Sequence, residues 1–435
     1  MRSAVSGKET AERFVVNRLS MPSDCGSEYG KERRNVFRFL TGGESHGPSL
    51  SALLEGLPAN IPLDLDAVNH HLKRRQGGFG RGARQQIETD RVEILSGVRY
   101  GKTMGGPITL LVRNRDWDNW RDRMAIEPVP NPAPPITQPR PGHADFPGML
   151  KYHTDDLRPI LDRSSARNTA TLVAGAAICR HLLLHAGIEV VSHVVMIGNV
   201  WAKFPDRVDY RDLAARAEES PVRCADPVAE QEMISRIETC MAEGTRDTLG
   251  GVFEVVALGC LPGLGSFAHW DRKLDARLAA AVMSIQAIKG VEIGLGFGVA
   301  EIPGSQVHDE IFFGAADGFT RGTNNAGGIE GGMTNGEPVV VRAAMKPLST
   351  LPTPLASVDM QTKAPVKAHF ERSDVCAVPA AATIGEAMVV LTLTQAVLEK
   401  FGGDSLEEFL RNVQGYRDEV RARGWASQEQ SSGHE

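Results

Sequence analysis

Three residues of this chain have the type and setting to move protons. His46 lies in GESHGP (43–48), and His143 lies in RPGHAD (140–145). A histidine held in a turn can give or take a proton near neutral pH, although a turn histidine can also be purely structural. Asp374, in a later arginine–serine–aspartate run, is a third acid–base candidate. The sequence therefore predicts acid–base chemistry at these residues.

A cationic, glycine-rich segment points to an anionic ligand. Residues 73–84 read KRRQGGFGRGAR, with five cations and four glycines. Like charges this close repel one another unless anions neutralise them, and glycine lets the backbone approach a ligand. Arginine forks suit phosphate and carboxylate oxygens. A small polyanion is favoured over RNA, because only Phe79 could stack on a base.

Two later regions indicate further anion contacts. DRSSAR (162–167) opens a predicted helix, whose first N–H groups attract anions. A run rich in glycine and amide side chains (323–336) precedes KPLST (346–350) and would suit a second phosphorylated ligand.

Three weaker patterns are rejected. GVRYGKT (97–103) has three residues between its glycine and Gly-Lys-Thr, whereas a P-loop needs four. The GxGxxA at 263–268 lacks the second strand of a dinucleotide site. His181 and His185 are spaced for one helix face, but they lack the glutamate of HExxH and a third ligand. No metal site is expected.

Strands and helices must hold these residues in place. Their mixture without strict alternation favours a layered α+β fold, and an echo between 105–113 and 331–345 allows two related halves. Residues 126–141 hold seven prolines and are expected to be an extended loop. Strands are predicted at 49–56, 91–98, 107–113, 250–261 and 338–345. Helices are predicted at 64–75, from Ser164 or Ser165 to 187, at 271–288 and 383–401, and after Ser405.

The composition narrows the class of protein. The chain has 435 residues and a formal net charge of -6, which argues against a dedicated nucleic-acid binder. No run of about twenty apolar residues predicts a membrane span, since charges and histidines interrupt 169–200. Six scattered cysteines suit a reducing, cytoplasmic setting.

The ends of the chain look different from its middle. We expect 1–36 to be a disordered extension or the product of a start placed too early, since its mixed charges resemble neither a secretory signal nor a transit peptide. A catalytic domain is expected at 37–410, followed at 411–435 by the end of a helix and a polar tail.

Seven motifs in one order resemble the chorismate synthase family from about residue 37 to about residue 405. Many relatives have RHDPC where this chain has RSDVC (372–376), but the arginine and the acid remain, so activity is expected to survive. The extension at 1–36 is unlike typical bacterial members. The motifs are GESHGP, RRQGGFGRG, RPGHAD, DRSSAR, WDRKLDAR, TNNAGGIEGGMTNG and ERSDVCAVPAA.

The resemblance implies a reaction, a cofactor and an architecture. The family converts 5-enolpyruvylshikimate 3-phosphate to chorismate and phosphate by a 1,4-anti elimination that requires reduced FMN without net redox change. It implies a single-domain β-α-β sandwich, a homotetramer and a flavin reduced either by an external reductase or by the enzyme with NADPH. The absence of a recognisable reductase domain favours the external source. The open alternatives are a flavin-binding or RNA-binding relative that lost catalysis, and a lyase acting on another shikimate-like ester.

The resemblance also assigns roles residue by residue. His46 and His143 correspond to the two family histidines, of which one protonates the reduced flavin and the other protonates the leaving phosphate, without the resemblance deciding which is which. Asp374 corresponds to the acid that works with flavin nitrogen 5 to take the proton from carbon 6. The implied substrate-binding residues are Arg75, Arg81, Arg140, Arg167 and Arg372, with Arg84 as a weaker candidate. The implied FMN-binding residues are Ser164, Ser165, Gln286, Gly331, Gly332, Lys346, Ser349, Thr350, Arg372 and Asp374, with Met345 packed nearby.

Overall fold

The computed structural model describes residues 37–82, 89–205, 208–242, 247–315, 317–371 and 374–425. The predictions made for 1–36 and for the last residues of the polar tail lie outside these ranges. The strands are β1 (Arg38–Gly43), β2 (Ser49–Glu55), β3 (Val92–Ser96), β4 (Val98–Arg99), β5 (Lys102–Thr103), β6 (Ile108–Arg113), β7 (Glu189–Ile197), β8 (Val200–Trp201), β9 (Gly251–Leu258), β10 (Ile288–Ile293), β11 (Ile311–Gly314), β12 (Gly318–Arg321), β13 (Ile329–Glu330), β14 (Met333–Thr334), β15 (Val339–Met345), β16 (Ala356–Val358) and β17 (Pro365–Lys367). The helices are α1 (Leu65–Gln76), α2 (Asp145–Tyr152), α3 (Arg158–Ser164), α4 (Thr169–His185), α5 (Tyr210–Glu219), α6 (Pro227–Met241), α7 (Leu274–Met283), α8 (Gly304–Val307), α9 (Val378–Phe401) and α10 (Leu406–Ala422).

Two antiparallel sheets form the outer layers of the fold. The first has the strand order β1-β2-β6-β3, and the second has the order β10-β15-β9-β7-β8. In β2 and β6 every second side chain is buried, as expected for a sheet that covers a core with one face. The remaining strands form four two-stranded ribbons.

Two long helices fill the space between the sheets. Helix α4 packs on β2 and β6 of the first sheet, whereas α9 packs on β7 and β9 of the second sheet and on α4. Both helices contribute many buried aliphatic side chains to one core that reaches both sheets. The layers are therefore sheet, helices and sheet, which confirms the expected α+β fold in its β-α-β sandwich form.

Each central helix carries a glycine where an aromatic ring of the neighbouring sheet enters. A Cβ atom on Gly175 of α4 would lie 2.3 Å from Cε2 of Phe39, and one on Gly385 of α9 would lie 2.4 Å from Cε2 of Phe253. Real Cβ contacts are never this short, so only glycine lets helix and sheet approach so closely.

Several local predictions from the sequence are confirmed. Asp64 caps α1, with its carboxylate accepting from the N–H groups of Asp66 and Ala67. Ser405 caps α10 by accepting from the N–H of Glu408. The strands near residues 49, 92, 108, 251 and 339 all form, and 126–141 is without helix or strand.

The predicted helix at 271–288 is wrong at both ends. Helix α7 spans only Leu274–Met283, and β10 begins at Ile288. Ala287 has a φ of 68°, a left-handed conformation that ends the helical path without glycine at that position. Helix α9 also begins at Val378, five residues before the predicted start.

One helix of the described chain has the length and composition of a membrane span, which the sequence interpretation did not anticipate. Helix α9 (Val378–Phe401) has a mean hydropathy of 1.6 in its most apolar window, and 89 % of that window is buried inside the protein. Its apolar surface contacts α4 and the second sheet, so it is the core helix of this fold.

The two segments that suggested related halves occupy comparable positions. β6 is an interior strand of the first sheet, between β2 and β3, and β15 is an interior strand of the second sheet, between β10 and β9. The twofold relationship of the halves stays a prediction, as do the boundaries of the catalytic domain.

Candidate active site

A cavity of about 410 Å³ opens where the turns before α2, α4 and α9 meet the end of α1 and the end of β15. Its size is in the range of small-molecule sites. One wall is apolar, and the rest is polar and largely cationic. The sequence-predicted residues that line it are Arg75, Arg81, Arg140, His143, Ser164, Ser165, Arg167, Gln286, Lys346, Ser349, Thr350 and Asp374.

A buried carboxylate holds two of the arginines together. Asp90 accepts from Nη2 of Arg75 at 2.7 Å through one oxygen and from Nη1 of Arg167 at 2.6 Å through the other. Burial opposes ionisation of Asp90, but the two arginines outweigh it and keep its pKa below the ordinary value. The Nε of Arg75 is buried and has no hydrogen-bond partner among the described residues, so this N–H group is an unused donor.

A second carboxylate arranges the RPGHAD turn. Asp145, at the start of α2, accepts from Nε of Arg140 at 2.8 Å and contacts Nδ1 of His143. Burial opposes its ionisation, yet the hydrogen bonds from His143 and Arg140 lower its pKa. The other side of Arg140 donates from Nη1 to Oγ1 of Thr350 at 2.8 Å. The turn therefore presents His143 to the cavity with Nδ1 against Asp145 and Nε2 3.3 Å from Nη2 of Arg140.

His46 is held differently from His143. Its Nδ1 lies 2.6 Å from Oδ1 of Asp162, and its ring stacks on Trp120 with centroids 3.8 Å apart. The residue is only 5 % exposed and is not among those lining the cavity. Ser45 beside it accepts a hydrogen bond from Oγ of Ser165, a lining residue, with the oxygens 3.1 Å apart. His46 therefore lies behind the cavity wall.

An ion pair between Arg81 and Asp374 joins the glycine-rich segment after α1 to the residues just before α9. Asp374 accepts from the N–H of Gly82 at 2.7 Å and lies 3.3 Å from Nη1 of Arg81. Gly80 has a φ of 86°, and a Cβ there would lie 3.0 Å from Ile237 and 3.2 Å from Cys376. Glycine is needed for this loop to reach Asp374.

The residues expected to bind a cofactor surround the apolar part of the cavity. Gln286 follows α7, and Lys346, Ser349 and Thr350 follow β15. Nζ of Lys346 donates to the carbonyl of Gly142 at 2.8 Å. Burial, with Lys289 as a second cause, lowers the pKa of Lys346. The apolar wall consists of Leu161, Ile285, Met345, Leu348, Ala377, Ala380, Ala381 and Ile384.

Two predicted cofactor residues lie elsewhere in this chain. Gly331 and Gly332 form the turn between β13 and β14 and do not line the cavity. The carbonyl of Gly332 accepts from the N–H groups of Ser266 at 3.2 Å and Leu274 at 2.9 Å, which fixes the turn against α7. The structure of one chain therefore does not bring them to the site. Arg84 and Arg372 lie outside the described residues.

The sequence interpretation missed the acids that organise the cations. Asp145 and Asp162 stand in quoted motifs without an assigned role, and Asp90 stands in none. Glu371 lines the cavity and is paired with Arg158 at 3.0 Å. A signal existed for Asp145 and Asp162, because each lies in the same motif as a predicted cation. No local pattern connects Asp90 to its two arginines.

The rejected motifs form ordinary structure. GVRYGKT is the β4–β5 hairpin, which is not the strand-to-helix setting of a P-loop. Nε2 of His181 accepts a hydrogen bond from the N–H of Asp64 at 3.0 Å and so supports the start of α1. Within the described parts of the chain, no group of three or more His, Cys, Asp or Glu could hold a metal ion.

Comparisons of the sequence with a family model and with known proteins point to the same family. The family model described as "Chorismate synthase" matches residues 37–398. The chain is 54 % identical to the chorismate synthase of Desulforamulus reducens over 387 residues, covering 89 % of this chain and 100 % of that protein. It is 52 % identical to the chorismate synthase of Aquifex aeolicus over 393 residues, covering 88 % of this chain and 98 % of that protein.

A solved structure agrees with the sequence relatives. The structure described as "Crystal Structure of Chorismate Synthase" superimposes with a TM-score of 0.71 at 43 % identity, covering 89 % of this chain and 98 % of that one. Fold, motif order and coverage point the same way, and the chain belongs to the chorismate synthase family.

Proposed function

We propose that this protein releases phosphate from 5-enolpyruvylshikimate 3-phosphate to form chorismate, at the cavity described above. The observation that carries the proposal is a set of four arginines around one small cavity that also contains His143 and Asp374. This combination can bind a polyanion and move protons at the same place.

The arginines match the charge of the substrate. The substrate carries one phosphate and two carboxylates, and Arg75, Arg81, Arg140 and Arg167 all line the cavity. The Nε atoms of Arg75 and Arg81 are buried and without hydrogen-bond partners in the described chain, and other parts of both side chains line the cavity, where a guanidinium can meet anionic oxygens. Their aspartate partners fix the direction of each guanidinium before substrate arrives, which lowers the entropic cost of binding.

The residues at the apolar wall fit a flavin mononucleotide. A flat, largely apolar ring needs a wall such as that formed by Ile285, Met345 and Leu348, and a phosphate needs cations and hydroxyls such as Lys346 and Thr350. Reduced FMN, when bound, supplies transient electron density to the substrate and recovers it, so that phosphate can leave. We assign its binding to Ser164, Ser165, Gln286, Lys346, Ser349, Thr350 and Asp374, and the predicted contributions of Gly331, Gly332 and Arg372 stay predictions.

The remaining chemistry belongs to side chains of this protein. His143 lines the cavity, and we assign to it the proton that the departing phosphate oxygen takes up when the C–O bond breaks. Asp374 is assigned the removal of the proton at carbon 6 with the flavin. Following the resemblance to the family, we assign to His46 the other histidine role, which concerns the protonation state of the flavin.

An anaerobic assay with 5-enolpyruvylshikimate 3-phosphate and chemically reduced FMN tests the proposal. Chorismate absorbance and free phosphate are followed together, and equal release of both is expected. FMN binding without either product would contradict the proposed reaction and support a flavin-binding relative that lost catalysis. Phosphate release from another shikimate-like ester alone would support the second alternative.

The same assay separates the two sources of reduced flavin. We propose an external reductase, since the described fold is accounted for by the sandwich and its ribbons. Oxidised FMN with NADPH is therefore expected to give no chorismate until a flavin reductase is added. Chorismate formation from oxidised FMN and NADPH alone would contradict this part of the proposal.

We also propose a homotetramer in the cytoplasm. The β11–β12 ribbon exposes Phe312, Phe313 (63 % exposed) and Phe319 to solvent in one chain, and such apolar surface is typical of protein–protein contacts. The five cysteines of the described chain are all buried thiols, in keeping with a reducing compartment. Sedimentation of the wild type is expected to give four copies, and Phe313→Asp should shift it to smaller species.

A further inference from the structure

We propose that Arg158 is a positioning residue that ties His46 to Glu371, a carboxylate that lines the cavity. The inference rests on the role proposed above for His46. Arg158 is the first residue of α3, its side chain is 16 % exposed, and it is not among the residues that line the cavity. It therefore acts through its neighbours and does not bind substrate.

The first neighbour is the carboxylate that holds His46. Asp162 lies one helical turn after Arg158, and Nη1 of Arg158 is 3.7 Å from Oδ2 of Asp162. That oxygen is fully buried and has no hydrogen-bond partner among the described residues. The other oxygen, Oδ1, accepts from the backbone N–H of His46 at 3.0 Å and lies 2.6 Å from its Nδ1. Arg158 therefore balances the charge of a buried acid whose other half fixes the imidazole.

The second neighbour is the ring stacked on His46. The guanidinium carbon of Arg158 lies 5.0 Å from the centroid of Trp120, and the Trp120 and His46 rings are inclined by only 29°. Nε1 of Trp120 also donates to Asp116 at 2.9 Å, so its plane is set at both ends. His46 is thus held at its edge by Asp162 and on its face by Trp120, and Arg158 contacts both.

The third neighbour leads to the other side of the site. Nη1 of Arg158 donates to Oε1 of Glu371 at 3.0 Å, and Glu371 lines the cavity three residues before Asp374. Burial opposes ionisation of Glu371, but a hydrogen bond with His369 and the charge of Arg158 lower its pKa to about 2. Glu371 is therefore an anion at neutral pH, and Arg158 holds it at the cavity.

One guanidinium thus connects the carboxylate that holds His46 behind the cavity wall to the carboxylate of Glu371 at the cavity. Losing it leaves Asp162 and Glu371 without their shared cation and Trp120 without one of its contacts. Displacements of this kind slow a reaction more than they weaken binding, because the reacting groups must be aligned within a fraction of an ångström.

The test compares Arg158→Ala and Arg158→Lys with Arg277→Ala in the full-length protein. Arg277 is a matched control, since its side chain is 14 % exposed and its Nη1 lies 2.8 Å from Oε2 of Glu399. Neither residue of this pair lines the cavity. For Arg158→Ala we expect kcat to fall about 30–100-fold, while KM for the substrate and Kd for FMN stay within about threefold. Arg158→Lys keeps the charge without the planar fork, so its kcat should lie between those of wild type and Arg158→Ala.

Chemical rescue separates positioning from general support of the fold. Guanidinium at about 50 mM should restore kcat of Arg158→Ala at least about fivefold, whereas sodium chloride at equal ionic strength should not. Wild type and Arg277→Ala should not be stimulated. An unchanged kcat in folded Arg158→Ala, a loss seen only in KM, or a loss without guanidinium rescue would each overturn the inference.

Three further variants keep the outcomes distinguishable. If Arg158→Ala does not fold, Trp120→Leu replaces it, with an expected fall in kcat of about tenfold at unchanged KM, and full kcat would count against the inference. His46→Ala and Asp374→Asn are measured in parallel. Full activity in those two would refute the proposed roles themselves, whereas their loss with an active Arg158→Ala would refute only the link.

Discussion

Adjacent arginines on α1 belong to two different ionic clusters. Arg75 faces the cavity, where Asp90 holds one end of its guanidinium and Nε is left over. Arg74 points the other way and donates to both oxygens of Glu386, each at 2.8 Å. Consecutive helical residues lie about 100° apart around the axis, so neighbours in sequence can serve separate regions. We call the second region the Glu386 cluster, consisting of Glu386, Arg74, Arg180, Arg223, Glu218 and Ser192.

The difference between the clusters lies in where the carboxylates stand. Glu386 is in the middle of α9, surrounded by arginines on several elements, and Ser192 donates to it at 2.6 Å. Burial opposes its ionisation, but Arg74 and Arg180 outweigh it and lower its pKa. At the cavity, Asp90 and Asp145 hold Arg75, Arg167 and Arg140 without lining the cavity themselves, whereas these three arginines do line it. No member of the Glu386 cluster lines the cavity.

The largest expected effect is on turnover. Asp374→Asn should keep substrate and FMN bound but lower kcat by about 10²–10⁴-fold, the range of a lost acid–base group. Steady-state kinetics with reduced FMN measure it, and Glu218→Gln in the Glu386 cluster is the control. Equal kcat in Asp374→Asn and wild type would remove the acid–base role and weaken the distinction between the clusters.

The matching change in the Glu386 cluster should act on stability. Glu386→Gln leaves three buried arginines without their carboxylate, and breaking a buried pair costs about 3–5 kcal/mol of the free energy of unfolding. Chemical denaturation measures it. The kcat of the folded fraction is expected to stay within about threefold of wild type, and a loss of kcat without a loss of stability would contradict this division.

The neighbouring arginines give the sharpest comparison. Arg75→Ala should lower kcat/KM by about 10–100-fold, the value of one charge-assisted hydrogen bond to an anion. Arg74→Ala should instead lower the free energy of unfolding and leave kcat/KM within about threefold. If both substitutions change the same quantity by the same amount, the two clusters do not act separately.

The smallest effect is on the pH dependence of stability. His71 lies 3.0 Å from Nη1 of Arg74, and burial, followed by the charges of Arg180 and Arg74, lowers its pKa to about 3. The unfolded chain, with a pKa of 6.5, binds more protons between these values, so stability falls as pH drops from 6.5 towards 3.

A denaturation series at pH 7 and pH 5 tests the contribution of His71. Wild type should lose more free energy of unfolding between these values than His71→Asn does, and activity at pH 7 should be alike. An equal loss in both proteins would show that other groups carry the acid sensitivity of this region.

The sequence predicted most of the elements near the site, for local reasons. Asp64 and Ser405 are caps whose partners lie within three residues, so their patterns can be read directly. The helix predicted to reach 288 failed because the apolar spacing of α7 continues through Ile285, while the chain reverses at Ala287. A left-handed alanine has no sequence pattern of its own.

The candidate site was predicted by residue type but not by partner. The arginines and His143 stand in dense motifs, so their convergence on one cavity could be anticipated. Asp90 joins Arg75, 15 residues before it, to Arg167, 77 residues after it, and Trp120 reaches His46 from another loop. Such pairs are set by the packing of α1, α4 and the first sheet, which no local pattern encodes.

The position of α9 in the sequence has a consequence for how the protein is made. The strands of both sheets precede residue 346, yet α9, one of the two helices between the sheets, is Val378–Phe401. Until that stretch emerges, the inner faces of the second sheet lack their main cover, and Arg74, Arg180 and Arg223 lack Glu386. Contacts between residues so distant in sequence form late, and until then partly folded intermediates expose apolar surface that promotes aggregation. The core beside the second sheet is therefore expected to close only when α9, which follows the last strand of that sheet in the chain, packs against it.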